Sequence, residues 1–96
     1  MAVHILIPGP LQHFAGGRRR IELARAGTHT VADALAELAA MHPGVRDRVL
    51  DERGEVRPHI NIFVGEENIR DAAGLATPLP PECEVAILPA VSGGGV

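Results

Sequence analysis

The chain is poor in several residue types, and each shortage excludes a class of function. Its 96 residues include two aromatic side chains, Phe14 and Phe63, and no Trp or Tyr. That leaves almost no material for the stacking platform that binds single-stranded nucleic acid. The formal net charge of −3 also argues against a broad phosphate-binding surface, so we expect no nucleic-acid partner. No apolar run approaches the ~18 residues of a membrane span, and we expect no membrane partner either.

Lysine and cysteine are the other shortages. All nine basic residues are arginine, so the chain has no side-chain amine for Schiff-base chemistry and cannot accept an isopeptide bond on its own side chains. Its one cysteine, Cys83, cannot form an internal disulfide, which is typical of a reducing compartment. We therefore expect a cytoplasmic protein.

Groups suited to catalysis or metal binding are few. The five histidines lie 9 to 17 residues apart, and none forms a short-spaced pair with another His or with Cys83, so we expect no metal site. Glu82 and Glu84 flank Cys83 and disfavour its thiolate, which argues against a nucleophile there. We expect no catalytic residue and no bound cofactor, and hence a protein that is not an enzyme.

One charged segment stands out at residues 16–20, where two glycines precede three arginines. Glycine exposes backbone donors, and arginine binds carboxylate or phosphate with two parallel hydrogen bonds. The segment is either the charged rim of a hairpin or a docking site for an acidic partner.

Hydrophobic periodicity predicts an α+β domain with a mixed sheet. Alternating apolar residues predict strands over residues 2–8, 18–25, 59–64 and 84–88, with a short return strand over 68–70. Helical spacing predicts one main helix, which begins at a capping box of Thr30 and Asp33 and ends at residues 42–44, and a short second helix over 45–50. Loops are expected at residues 9–17, 51–58 and 72–81. The first and last strands are the most apolar, so we expect them in the middle of the sheet.

The C-terminal residues have a different composition. Gly93, Gly94 and Gly95 have no packing role, because glycine costs the most backbone entropy to order. The segment is therefore either a frayed end or a chain that must pass through a narrow channel in a partner. Residues 90–94, fully extended, would reach roughly 16 Å. We expect a folded domain over residues 1–89 and a flexible tail over 90–96.

Three stretches resemble one protein family. They are His-Ile-Asn-Ile-Phe-Val at 59–64, Leu-Ala-Thr at 75–77 and Val-Ala-Ile-Leu-Pro-Ala-Val-Ser-Gly-Gly at 85–94. The order of elements and these stretches resemble the ubiquitin-like sulfur carriers of the ThiS/MoaD family over the whole chain. The likeness is greatest to a longer branch that includes the carriers of cysteine biosynthesis.

The resemblance implies a β-grasp (ubiquitin-like) fold, with a mixed sheet of four to five strands and one main helix. It also implies that the working group is the carboxylate of Gly94. An adenylyltransferase related to ubiquitin-activating enzymes would use ATP to activate that carboxylate, and a sulfur donor or sulfurtransferase would convert it to a thiocarboxylate. A downstream sulfur-accepting synthase would then take the sulfur.

The resemblance implies a processing step, and strand alternation suggests a partner surface. Family members end at the diglycine, so a JAMM-type metalloprotease is expected to remove Gly95 and Val96; alternatively Gly94 and Gly95 are the pair and Val96 alone is removed. The partner surface is expected to include Phe63, Leu88 and Val91, because strand alternation places Phe63 on the open sheet face near Leu6 and Leu88. The alternative is that the loop over residues 71–81 covers Phe63.

Three other functions remain open at this point. The chain is also compatible with the small subunit of molybdopterin synthase, whose tail enters a large catalytic subunit. It is compatible with a protein modifier joined through Gly94 to lysines of other proteins. A plain binding module, for which the tail is dispensable, is the remaining alternative.

Overall fold

The computed structural model describes residues 2–24 and 28–89 and shows one mixed sheet with helices on a single face. The elements in chain order are β1 (Ala2–Leu6), a 3₁₀ helix (Gly9–Ala15), β2 (Arg20–Ala24), α1 (Val31–Met41), α2 (Pro43–Val49), β3 (Ile60–Val64), β4 (Glu67–Asn68), two 3₁₀ turns (Ile69–Asp71 and Gly74–Ala76) and β5 (Cys83–Pro89). No helix in the described part of the chain is long and apolar enough to cross a membrane.

The five strands lie in the order β2-β1-β5-β3-β4. The central pair, β1 and β5, is parallel, and the other pairs are antiparallel. The prediction that the first and last strands lie in the middle of the sheet is confirmed, as is the α+β mixed sheet. A central position suits β5 because its inward residues, Val85 and Ile87, are almost fully buried.

The core lies between one face of the sheet and the two helices. Alternate strand residues face it and are buried, namely Val3, Ile5, Ile21, Leu23, Ile60, Ile62, Val85 and Ile87. The helices contribute Val31, Ala34, Leu35, Leu38, Val45 and Val49. The period of two in the strands and the helical spacing in α1 predict these faces, because burial on one side selects apolar residues at those intervals.

The N-terminus of α1 is held by the predicted capping box. The backbone N–H of Asp33 donates to the Thr30 hydroxyl at 3.2 Å. The Asp33 carboxylate in turn accepts from the backbone N–H of Thr30 at 3.1 Å and of His29 at 2.9 Å. The helix ends at Met41, just before Pro43 begins α2, because the residue before proline is disfavoured in helical angles.

Loss of this cap is expected to weaken the fold measurably. Thr30→Ala removes one acceptor at the helix start and should lower the free energy of unfolding by about 1 kcal/mol. Thr30→Ser keeps the hydroxyl and should stay near wild type. Urea denaturation of both variants at neutral pH measures the difference, and equal stability of the two would contradict a capping role.

The same cap should make stability depend on pH in the acid range. Backbone N–H groups of His29 and Thr30 hold the pKa of Asp33 below its ordinary value of 3.8. Because the folded-state pKa is the lower one, the stabilisation is present above the ordinary pKa and is lost as pH falls through the folded-state value. In Asp33→Asn, the free energy of unfolding is expected to depend less on pH in the acid range. The same acid dependence in the variant and the wild type would contradict this role of Asp33.

The structure corrects the predicted loop over residues 9–17. Residues Gly9–Ala15 form a 3₁₀ helix in which the N–H of Leu11 donates to the carbonyl of Pro8 at 2.9 Å. Leu11 and Ala15 are buried, and Phe14 packs against the core. Gly16 ends the helix at φ 67°, a left-handed conformation that favours glycine. Burial by distant residues orders this segment, and glycine and proline content alone did not reveal it.

Several other boundaries also differ from the prediction, and two of these differences have a local cause. The short return strand is Glu67–Asn68, and the chain then turns into a 3₁₀ turn because the Asn68 side chain accepts from the N–H of Arg70 at 2.9 Å. The second helix begins at Pro43, two residues early, since proline is well tolerated in the first helical turn.

Candidate functional site

The candidate site lies on the open face, which is the sheet face that points away from α1 and α2. Phe63 of β3 pairs with Ala86 of β5, and Ala86 pairs with Leu6 of β1. Directly paired residues share a face, so these three side chains form an apolar row across three strands. Each of them is half-buried. Strand alternation predicts this face for Phe63, whereas Ala86 was not singled out from the sequence.

Leu88 extends this row toward the C-terminal end of β5. It lies two residues beyond Ala86 on the same face, pairs with Asn61 of β3, and is 46% exposed. Together Leu6, Phe63, Ala86 and Leu88 are called the apolar patch below. An apolar patch on an open sheet face is the kind of surface that anchors a protein partner.

The loop over residues 71–81 does not cover Phe63 but packs on the helical side of the sheet. The N–H of Val31 donates to the carbonyl of Thr77 at 3.0 Å, and the N–H of Leu79 donates to His29 at 2.9 Å. Leu75 packs against the core. These contacts join the loop to the start of α1, so the alternative that the loop covers Phe63 is wrong.

Charged side chains lie at the N-terminal end of β5, beside the apolar patch. His4 stands between its cross-strand partners Glu22 and Glu84, with its Nε2 3.9 Å from a Glu22 oxygen. Arg20 Nη2 lies 3.3 Å from a Glu84 oxygen. His4, Arg20 and Glu84, together with Glu82, line a shallow cavity of about 460 Å³. The ion pairs are exposed and contribute little to stability, but three carboxylates give this end an acidic character.

The glycine–arginine run has a structural role in the turn that enters β2. Gly16 and Gly17 both have positive φ, 67° and 82°, and Arg18 and Arg19 follow as exposed residues. The carbonyl of Arg19 accepts from the N–H of Ile7 at 2.8 Å, which extends the β1–β2 pairing. The predicted hairpin rim is therefore present, and docking of an acidic partner there stays a prediction.

The structure brings no group of metal-binding side chains together in residues 2–24 and 28–89. Cys83 begins β5, is half-buried and packs against the core. It lines the cavity beside His4, with Glu82 and Glu84 on either side in the chain. The one cysteine therefore shares this cavity with a histidine and two carboxylates.

The predicted working residues follow the end of β5. This strand ends at Pro89, which pairs with Ile60 of β3. Gly93, Gly94 and Gly95, and the predicted contact residue Val91, lie outside the described residues. So does the predicted boundary between a domain over 1–89 and a tail over 90–96. These remain predictions.

Comparison with known proteins identifies relatives of this arrangement. The model of the ThiS family matches residues 5–94. The sulfur carrier protein CysO of Mycobacterium tuberculosis is 33% identical over 96 residues, which cover 98% of this chain and 100% of that protein. Small archaeal modifier protein 1 of Haloferax volcanii is 37% identical over 78 residues, covering 81% of this chain and 85% of that one.

A solved structure extends the likeness to the fold. The Amycolatopsis orientalis BexX/CysO complex contains a chain that matches with a TM-score of 0.86 and 30% identity, over 97% of this chain and 100% of that one. The predicted β-grasp fold and the resemblance to ubiquitin-like sulfur carriers are thus confirmed. These relatives are carriers and modifiers, in keeping with a protein that is not itself a catalyst. The chain belongs to the ThiS family of ubiquitin-like sulfur carriers and modifiers.

Proposed function

We propose that this protein is a sulfur carrier whose Gly94 carboxylate is adenylated by a partner enzyme and converted to a thiocarboxylate. The observation that carries the proposal is the extent of the family match, which runs through residue 94. The full-length identity to a sulfur carrier protein adds support. The end product is cysteine or another sulfur-containing metabolite.

Activation is needed because a carboxylate is a poor electrophile. A Gly94 oxygen attacks the α-phosphorus of ATP, the bond to pyrophosphate breaks, and an acyl-adenylate forms. Hydrosulfide from the sulfur donor then attacks the carbonyl carbon and displaces AMP, and its proton passes to solvent. The product is a thiocarboxylate with no net oxidation or reduction, and its sulfur is a tethered nucleophile for a sulfur-accepting synthase.

In this scheme the described residues bind the adenylyltransferase, and the residues after them span the distance to its active site. The apolar patch offers Phe63 and Leu88 as anchors for the adenylyltransferase, and the chain leaves the sheet at Pro89, next to Leu88. Residues 90–94 extended span roughly 16 Å, enough to bring Gly94 to an active site inside the partner. The partner supplies the catalytic groups and binds the ATP.

Residues that follow Gly94 must leave before its carboxylate is available. Hydrolysis of the Gly94–Gly95 peptide bond consumes one water and frees Gly95 and Val96 as a dipeptide. A JAMM-type zinc metalloprotease is the class of enzyme we propose for this step. Removal of Val96 alone would instead make Gly95 the working residue.

Intact-mass measurement of the protein isolated from its own host tests the proposal. We expect a loss equal to Gly95 and Val96, followed by replacement of one oxygen by sulfur when ATP and sulfide are added to the lysate. A parallel lysate depleted of ATP by apyrase should give the shortened chain without sulfur. A full-length mass under every condition would overturn the proposal.

A second candidate is a protein modifier, supported by the 37% identity to small archaeal modifier protein 1. Here a lysine amine of another protein attacks the carbonyl of the Gly94 acyl-adenylate, displaces AMP and gives up a proton, which leaves an amide bond. Because the chain has no lysine, a second copy cannot attach to its side chains by this chemistry. Peptide mass spectrometry of high-mass adducts separates the two roles: lysines of other proteins carrying the Gly94 remnant would identify a modifier.

A further inference from the structure

A group of basic side chains lies at the other end of the sheet from the acidic residues around His4. Arg48, Arg57 and His59, called the basic cluster below, line a cavity of about 210 Å³ together with Asp47. Arg48 belongs to α2, whereas Arg57 and His59 lie in the segment that leads into β3. The tertiary structure thus joins groups that are separated by up to eleven residues in the chain.

Neighbouring groups position both guanidinium groups of this cluster. The Arg48 guanidinium carbon stands over the ring of Phe14, 4.7 Å from its centroid. The Arg57 Nε donates to the backbone carbonyl of Asp47 at 3.1 Å. An aromatic face and a carbonyl orient an arginine without neutralising its charge.

The charge of the basic cluster is largely uncompensated. Within residues 2–24 and 28–89, neither Arg48 nor Arg57 forms an ion pair. The Asp47 carboxylate lies 3.6 Å from Nη1 of Arg46 instead. Asp51 interacts electrostatically with Arg57, but its ion pair is with Arg53, at 3.9 Å. The cavity is thus a site of net positive charge on a protein whose formal net charge is −3.

The basic cluster lies beside the C-terminal end of β5. Pro89, the last residue of β5, pairs with Ile60, and His59 directly precedes Ile60. An enzyme that takes up the residues after Pro89 must therefore approach this corner. The acidic residues Glu22, Glu82 and Glu84 lie at the opposite end of β5. These acidic residues and the basic cluster are thus separated along the length of β5.

We propose that Arg48, Arg57 and His59 form a docking site for acidic side chains of the enzyme that receives the C-terminal tail. This inference rests on the proposed carrier function and names the chemistry of the partner surface. Carboxylates of a protein fit better than ATP phosphates, because Gly94 would reach roughly 16 Å beyond the sheet before meeting the nucleotide. A nucleic acid fits poorly, because the carboxylates at the other end of β5 would repel its backbone.

Kinetics of the host adenylyltransferase test this site. The enzyme is purified by following ATP–pyrophosphate exchange that depends on wild-type carrier, used in the length that intact mass shows the host to produce. The Arg48→Gln/Arg57→Gln carrier is compared with Arg53→Gln, which removes one positive charge from an exposed arginine that is ion-paired with Asp51 and Glu55. Thermal unfolding of each variant checks that the fold is retained.

We expect the Arg48→Gln/Arg57→Gln carrier to raise KM about tenfold at low salt with kcat unchanged, and less at high salt. The Arg53→Gln carrier should leave KM within about twofold. The Arg48→Lys/Arg57→Lys carrier keeps both charges and serves as a second variant if the glutamine pair unfolds; its KM should stay within about threefold.

Four results would overturn the docking site. An unchanged KM for the Arg48→Gln/Arg57→Gln carrier removes it while leaving the carrier function intact. The same rise per charge removed in Arg53→Gln would indicate a long-range effect of net charge. Absence of any exchange that depends on the wild-type carrier would overturn the proposed function and the docking site together. An RNA that binds wild type and not the glutamine pair would also assign the cluster to another partner.

Discussion

A chain that ends at Gly94 is expected to be adenylated without any protease, whereas chains that end at Gly93 or Gly95 are not. The reacting group is the terminal carboxylate, and one residue more or less shifts it by roughly 3.3 Å. A misplacement of about 1 Å already costs on the order of 100-fold in rate. We therefore expect at least a ~100-fold lower rate of pyrophosphate exchange for the two wrong lengths.

The same series separates the two alignments of the glycine run. Activity of the chain ending at Gly95, with none for the chain ending at Gly94, would make Gly94 and Gly95 the working pair. A chain ending at Gly94 that carries Gly94→Ala serves as the matched control, because it has the right length with one added methyl group. If no length supports exchange while thermal unfolding is normal, the carrier function is overturned.

Adjacent residues of β5 are expected to give opposite results when each is changed to alanine. Ile87 faces the helices and is 1% exposed, whereas Leu88 faces away from them and is 46% exposed. Ile87→Ala leaves a cavity in the core and should lower the free energy of unfolding by about 3 kcal/mol. Leu88→Ala should cost less than about 1 kcal/mol. Urea denaturation of the two variants measures the contrast.

The effect on activation by the adenylyltransferase should be larger for Leu88→Ala than for Ile87→Ala, the reverse of the effect on stability. Leu88→Ala and Phe63→Ala both change the apolar patch. Each is expected to lower kcat/KM for activation about tenfold, which is in the range found for anchors of protein interfaces. Ile87→Ala should act only through the fraction of folded protein. Loss of cooperative unfolding in Phe63→Ala would instead make Phe63 part of the core and remove it from the partner surface.

Much of the fold could be predicted because its signals are local. The capping box joins Thr30 and Asp33, three residues apart, and needs one helical turn to form. The inward residues Val85 and Ile87 follow from a period of two. In contrast, the 3₁₀ helix over Gly9–Ala15 was missed, because its order depends on burial of Leu11 and Ala15 by residues distant in sequence.

The candidate site, like the fold, could be predicted from the sequence only in part. The sequence by itself determined that the chain has few catalytic groups, that it has no lysine, and that the glycine run at residues 93–95 is the part to test. Only the tertiary structure decided that Ala86 joins Leu6 and Phe63 in one row, and that Arg48 meets Arg57 beside the end of β5. Composition and periodicity are properties of neighbouring residues, whereas strand register and the packing of α2 depend on contacts between distant ones, which no local pattern encodes.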